Sequence, residues 1–296
     1  MNYRILGNSD LSISEVGFGC MSLQPGDNGI ENLLHHAIDQ GINFFDTADL
    51  YDKGINETIV GKALRPHRKK IVLATKVGNE WNPDGKGWHW NPTKDYILKS
   101  VDQSLQRLNT DYIDLYQLHG GTIEDPIDDT IEAFESLKKA GKIRHYGISS
   151  IRPNVIREYI HRSSIVSVML QYSLLDRRPE EELLDLLDKN TIGVLARGPL
   201  AKGLLINKPP AEYNNHDEAT VNHVVAAMSA LTSEGRSKTS LALGYVLDRK
   251  EISAAVCGIR TENQLRDILQ AYQNLPGKKD IEFLKSLPSN EYNQHR

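Results

Sequence analysis

Eight short apolar runs, most of them rich in β-branched residues, recur along this chain of 296 residues, and each is followed by a longer amphipathic stretch. The runs lie at roughly Val16 to Cys20, Ile42 to Asp46, Ile71 to Thr75, Tyr112 to Leu118, His145 to Ser149, Val166 to Gln171, Gly193 to Arg197 and Ala254 to Gly258. Such alternation marks βαβ units and a parallel sheet, and eight parallel strands are enough to close a barrel. The predicted fold class is α/β, a (β/α)8 barrel of the TIM type. Boundary chemistry agrees. Asn91-Pro92-Thr93 opens a helix reaching Arg107, and Gly141 stops one that begins near Asp128, with apolar Ile127, Ile131, Phe134 and Leu137 spaced by three and four. Ahead of the first barrel strand, Tyr3 to Leu6 and Leu11 to Ser14 flank a turn at Gly7 to Asp10, which predicts an N-terminal hairpin closing the bottom of the barrel.

Parallel barrels of about 250 residues fold as one unit. The chain shows no repeat beyond the βα unit, no low-complexity tract and no linker-like break, so residues 1–296 are expected to form one domain. Hydrophobic residues at 39%, charged residues at 25% and a formal charge of −4 point away from nucleic acid and anionic membrane as partners. The opening MNYRILGNSDLSIS lacks the apolar core of a secretory signal, and no stretch approaches the ~20 apolar residues of a membrane span, so a cytoplasmic location is expected. Cys20 and Cys257 lie far apart, outside any CxxC or Cys/His cluster. Neither a disulfide framework nor a structural zinc is expected, and redox chemistry falls to a bound cofactor. No spacing in the chain indicates an oligomeric state.

Two connections exceed what a βα loop requires: Gly78 to Asn91, with Trp81, Trp88 and Trp90, and Lys202 to about Thr220, rich in Pro and Asn. Tryptophans on a loop above a barrel are expected to wall a substrate pocket.

Active sites of parallel barrels lie at the carboxyl ends of the strands, so the informative polar residues are those that end an apolar run. The second run closes through Asp46 to Tyr51, the third in Lys76, the fourth in His119 and the fifth in Ser149-Ser150. A Tyr, a Lys, an Asp and a His converging on one face suit delivery of a proton to an alkoxide. A free phenol has a pKa of about 10 and donates poorly at neutral pH, so a nearby ammonium is expected to make Tyr51 more acidic, with Lys76 supplying the ammonium and Asp46 keeping it charged. His119 would orient the substrate carbonyl oxygen.

The segments GFGCM (Gly17 to Met21), GINFFDTADLY (Gly41 to Tyr51), LATK (Leu73 to Lys76), YIDLYQLH (Tyr112 to His119) and GKIRHYGISS (Gly141 to Ser150) resemble the aldo-keto reductases, over essentially the whole chain. The resemblance implies that Tyr51, Asp46, Lys76 and His119 form a catalytic tetrad with the tyrosine as proton donor. It implies NADPH, bound extended across the barrel mouth without a GxGxxG fingerprint, and a small-molecule carbonyl substrate. By motif match, Ser149, Ser150 and Gln171 are expected at the nicotinamide amide, and Asp46 with the backbone of Gly19, Cys20 and Met21 at the ribose side. Arg197, Gly198, Pro199, Leu200 and Gly203 match the pyrophosphate-contacting loop, and Gly258, Arg260 and Gln264 the loop and helix start that hold the adenosine phosphate. The Arg260 guanidinium suits a 2′-phosphate, which favours NADPH over NADH. Three positions depart from the family pattern: Arg197 replaces an aromatic residue that stacks on the nicotinamide, Gly120-Gly121 after His119 leave the substrate wall bare, and Ile268 replaces a polar amide near the adenine.

Two other function classes stay open on the residues. A nicotinamide-binding regulatory or sensor subunit would keep the same tetrad and turn over slowly. A metal-dependent hydrolase on the same barrel needs His and carboxylate ligands at several strand ends; only His119 qualifies, while His35, His36 and His89 fall in a helix and a loop. No metal is expected.

Overall fold

The chain opens on the expected hairpin. β1 (Tyr3–Ile5) and β2 (Ser12–Ser14) pair antiparallel, with Tyr3 opposite Ser14. A computed structural model describes residues 1–296. The barrel strands follow as β3 (Val16–Gly19), β4 (Phe44–Asp46) and β5 (Val72–Val77). After a second hairpin, β6 (Asn79–Trp81) with β7 (Trp88–Trp90), come β8 (Ile113–Leu118), β9 (Ile143–Ser149), β10 (Ser167–Gln171), β11 (Gly193–Arg197) and β12 (Ile252–Gly258). The eight barrel strands pair parallel in the closed order β10-β11-β12-β3-β4-β5-β8-β9. Helices α1 (Ile30–Asp39), α2 (Ile55–Leu64), α3 (Lys94–Leu108), α4 (Ile127–Lys139), α5 (Pro153–Arg162), α6 (Leu183–Lys189), α7 (Glu218–Ala230), α8 (Lys238–Leu247), α9 (Glu262–Gln273) and α10 (Lys278–Lys285) complete the chain. None is long and apolar enough to cross a membrane.

Side chains alternate between the two faces of a strand, and this parity builds the interior in layers. Phe44, Val72, Ala74, Leu115, Met169, Leu195, Ala254 and Val256 gather with Leu6, Leu11, Ile13 and Val166 into a cluster of 12 buried residues, separate from the 67 buried between strands and helices. Leu6, Leu11 and Ile13 come from the N-terminal hairpin, which therefore plugs the floor of the barrel. Its turn is wedged tightly: Gly7 has φ of 53°, and a Cβ there would lie 2.2 Å from the Val166 carbonyl oxygen. Two residues further along five strands, the same parity gives Asp46, Lys76, Gln117, Gln171 and Arg197. The barrel interior thus changes from apolar to polar one layer below its mouth.

The third strand extends to Val77, beyond the expected end at Thr75, because β8 continues to pair with it and sets Lys76 opposite Gln117. The long connection Gly78 to Asn91 is an ordered hairpin. Asn82-Pro83-Asp84-Gly85 supplies its turn, in which the Gly85 N–H donates to the Asn82 carbonyl at 2.8 Å. At the start of α3, Asn91 Oδ1 accepts from the Thr93 N–H and from its hydroxyl.

Candidate active site

The site begins with β4. Beyond Asp46 the chain keeps bonding to β5, with the Thr47 N–H on the Ala74 carbonyl at 2.9 Å and the Asp49 N–H on that of Lys76 at 3.3 Å. A fully buried Asn56 then ties two mouth loops together: its Oδ1 accepts from Thr47 Oγ1 at 2.6 Å, and its Nδ2 donates to the carbonyls of Cys20 and Leu23 at 2.9 and 2.8 Å. Tyr51 follows in a 3₁₀ turn, and Asp52, Lys53 and Gly54 all take left-handed φ values of 48°, 54° and 84°. That reversal turns the chain from the mouth into α2 and leaves the Tyr51 ring over the strand ends.

Lys76, 1% exposed, donates from Nζ to Asp46 Oδ2 at 2.7 Å and to the Thr47 carbonyl at 2.6 Å. Gln117 Nε2 donates to the other Asp46 oxygen at 3.3 Å. The Lys76 ammonium lies 5.2 Å from the centre of the Tyr51 ring, and the His119 imidazole meets that ring edge-on at 5.9 Å between centroids. The four sequence-predicted residues therefore stand together. Gln117 is a member that the sequence reading missed, although its parity with Lys76 and His119 signalled it.

The electrostatics correct one expectation. Burial pushes the Tyr51 phenol up, Lys76 pulls it down, and burial prevails, so Tyr51 is held above its ordinary value rather than below it. It carries its proton throughout the neutral range, as a donor must. Burial pushes the Lys76 ammonium down, but Asp46 and Tyr51 outweigh it and keep it charged. Burial, reinforced by Lys76 and Arg197, lowers His119 to about 3, so its imidazole is neutral and has one N–H to give. Its Nδ1 is buried without a partner, as is Gln117 Oε1.

The expected cofactor positions ring the same mouth. Ser149 and Ser150 are buried at the end of β9, and Met169 of β10 pairs in register with Ser149. Gln171 and Arg197 sit opposite one another at the ends of β10 and β11, where Arg197 Nη1 donates to Gln171 Oε1 at 3.3 Å. Gly198 and Gly203 take left-handed φ values of 69° and 92°, bending the chain around Pro199 and Leu200. Gly19 pairs with Gly258 across β3 and β12, and Gly258 faces open space, with nothing within 4 Å of where a Cβ would stand. The Cys20 side chain is buried while Met21 is 66% exposed.

At the start of α9, Gln264 accepts from the Arg260 and Thr261 N–H groups at 2.8 and 3.2 Å, forming a capping box with Thr261. Arg260 is exposed and paired with Asp27 at 3.3 Å. Ile268 is buried in the outer core, which accounts for an apolar residue there. No group of three or more His, Cys, Asp or Glu side chains is arranged to hold a metal.

The tryptophans divide. Trp81 and Trp88 line a cleft of about 590 Å³ together with Met21, Leu23, Leu50 and Tyr51. Trp90 is not among its walls. It lies against Gly78 and Gly120, where a Cβ would stand 2.6 and 3.1 Å from the ring, and its Nε1 donates to Asp125 at 2.9 Å. Trp90 thereby covers the glycine that left the wall after His119 bare in sequence.

A model described as "Aldo/keto reductase family" matches residues 15–287. The chain belongs to the aldo/keto reductase family. One relative is an uncharacterised oxidoreductase, YqkF, of Bacillus subtilis, 52% identical over 279 residues that make up 92% of this chain and 91% of that one. Another is the aldo-keto reductase yakc [NADP(+)] of Schizosaccharomyces pombe, 35% identical, with 72% and 66% of the two chains covered. Among solved structures, the holo form of aldo-keto reductase AKR11C1 from Bacillus halodurans superposes with a TM-score of 0.93 at 47% identity, covering 100% of this chain and 99% of that one. As an aldo/keto reductase, the chain is an oxidoreductase by family, built on the barrel expected from its sequence.

Proposed function

We propose that this chain is an NADPH-dependent oxidoreductase that reduces an aldehyde or ketone to the alcohol, with Tyr51 as proton donor. The observation that carries the proposal is the buried Lys76–Asp46 pair at 2.7 Å beside the ring of a protonated Tyr51. A charged pair removed from water costs several kcal/mol unless well compensated, and here it flanks the phenol of Tyr51.

The residues present fit a nicotinamide dinucleotide. Gly258 leaves room that any side chain would fill, and buried hydroxyls and an amide cluster at the ends of β9 and β10. Ser149, Ser150 and Gln171 would hold the carboxamide, Arg197 the ring face, and the backbone at Gly19, Cys20 and Met21 the ribose side, with Asp46 below. The turn at Gly198, Pro199, Leu200 and Gly203 would take the pyrophosphate. Arg260 and Gln264, beside the N-terminus of α9, would take the adenosine phosphate, with Arg260 exchanging Asp27 for a 2′-phosphate.

When bound, the reduced cofactor supplies the hydride taken by the carbonyl carbon. The chain does the rest. The neutral His119 imidazole donates its N–H to the carbonyl oxygen and orients it. Tyr51 passes its phenolic proton to that oxygen as charge develops, and the Lys76 ammonium stabilises the phenolate that remains until solvent restores the proton. Asp46, itself held by Gln117, keeps Lys76 in place.

The test is a panel of aldehydes and ketones assayed with NADPH and NADH at matched concentrations. Turnover with NADPH, and weaker turnover with NADH, is the expected result. Cofactor binding without turnover on any carbonyl would favour the regulatory reading.

A further inference from the structure

Tyr213 sits outside the tetrad, in the long connection between β11 and α7, yet its hydroxyl reaches the barrel mouth. Gln171 Nε2 donates to it at 2.8 Å, while Gln171 Oε1 accepts from Arg197 at 3.3 Å. A guanidinium can only donate, so the Arg197 side must meet the amide oxygen, and the amide nitrogen must then face Tyr213. Tyr213 is 7% exposed, and burial first, then Asp176, push its phenol up, so it stays a neutral hydroxyl.

Tyr213 is itself anchored. It opens a four-residue turn, Tyr213 to His216, closed by reciprocal backbone bonds of 3.0 Å, with Asn214 and Asn215 at left-handed φ values of 46° and 69°. Asn214 Nδ2 donates to Asp176 Oδ2 at 2.8 Å, and the fully buried Asp176 is gripped by Arg178 at 2.7 Å. From the C-terminal tail, Asn290 Nδ2 donates to the Asn214 carbonyl at 2.9 Å while its Oδ1 accepts from the Arg177 N–H at 2.8 Å. The tail, the corner after β10 and the turn thus form one hydrogen-bonded frame ending at Gln171.

Resting on the cofactor reading above, we propose that Tyr213 is a positioning residue: by accepting from Gln171 Nε2 it holds the amide in the orientation that Arg197 selects, so that Oε1, with a lone pair to spare, is presented as an acceptor for the carboxamide NH₂ of a nicotinamide, and the Asn290 tail holds Tyr213 in place. A free glutamine presents donor and acceptor about equally. A fixed one selects the ligand group and its orientation without the entropy of ordering at the moment of binding.

The experiment is calorimetric titration of NADPH and of 2′-phospho-ADP-ribose, which lacks the nicotinamide, into wild type, Tyr213→Phe, Gln171→Ala and the double variant. The expected result is a Kd for NADPH about fivefold weaker in Tyr213→Phe, the worth of one net hydrogen bond, with the fragment unchanged and no further loss when Tyr213→Phe is added to Gln171→Ala. Asn290→Ala, which leaves Tyr213 intact, should reproduce the pattern in smaller measure. Equal losses for both ligands, no loss for either, or additive losses in the double variant would overturn the proposal while leaving the cofactor reading standing. Failure of wild type to bind NADPH would overturn both.

Discussion

Tyr51 sits between two opposing influences, burial that favours its neutral form and the Lys76 ammonium that favours its anion, and burial prevails. A donor whose pKa is raised keeps its proton as pH climbs, so its contribution is lost only above the ordinary phenol value of about 10. His119 moves the other way, to about 3, and so remains neutral on raising pH from there. Neither group changes charge between about pH 5 and 9, and kcat/KM for carbonyl reduction, measured across that window, should show no inflection from them. A titration near pH 6.5 would contradict the neutral His119, and a fall well below pH 9 would contradict the protonated Tyr51. The same His119 bears on stability: between about pH 6.5 and about 3 the unfolded chain binds its proton and the folded chain does not, so stability is lost as pH falls through that interval, by at most about 1.4 kcal/mol per unit.

The N-terminal hairpin and the strands it caps depend on one another. Gly7 meets the starts of β10 and β11 through backbone, where nothing can swing aside, and a left-handed φ adds strain for any side chain. Gly7→Ala should therefore lower stability by about 2–3 kcal/mol, read as a shift in urea midpoint at unchanged m. A loss under about 0.5 kcal/mol would show that the plug is free to shift. How far each element could be read in the sequence follows the range of the forces that fix it. Strand order and the grouping of Asp46, Tyr51, Lys76 and His119 were legible because local parity and strand ends determine them: Asp46, Lys76 and His119 each close an apolar run. That Trp90 stands apart from Trp81 and Trp88, against Gly78 and Gly120, was not legible, because those two glycines are 42 residues apart in the chain and neighbours only once β5 and β8 pair. Tyr213 was invisible for a like reason, since its partner Gln171 lies at the end of β10 and its anchor Asn290 near the C-terminus. The sign of the Tyr51 shift was missed because sequence names the neighbouring ammonium but not the depth of burial.

Closure of the barrel joins distant parts of the chain, β12 near its end onto β3 near its start, so that no segment holds a complete sheet alone. We propose that residues 1–296 form one domain, and limited proteolysis should release no persistent fragment containing only part of the barrel. A protease-resistant half would contradict this. On the scale of the whole molecule the barrel acts as a frame: its floor is plugged by apolar side chains, its helices carry the larger core, and only the last inward layer is polar. That gradient is what allows an ammonium and a carboxylate to remain buried beside a phenol.

The most direct test of the account is the Tyr51→Phe variant, mixed with NADPH and a reducible aldehyde while nicotinamide absorbance is followed and NADPH binding is titrated separately. The account predicts NADPH affinity within about twofold of wild type and turnover lower by at least about a hundredfold, because only the acid is removed. Turnover near the wild-type rate would contradict it.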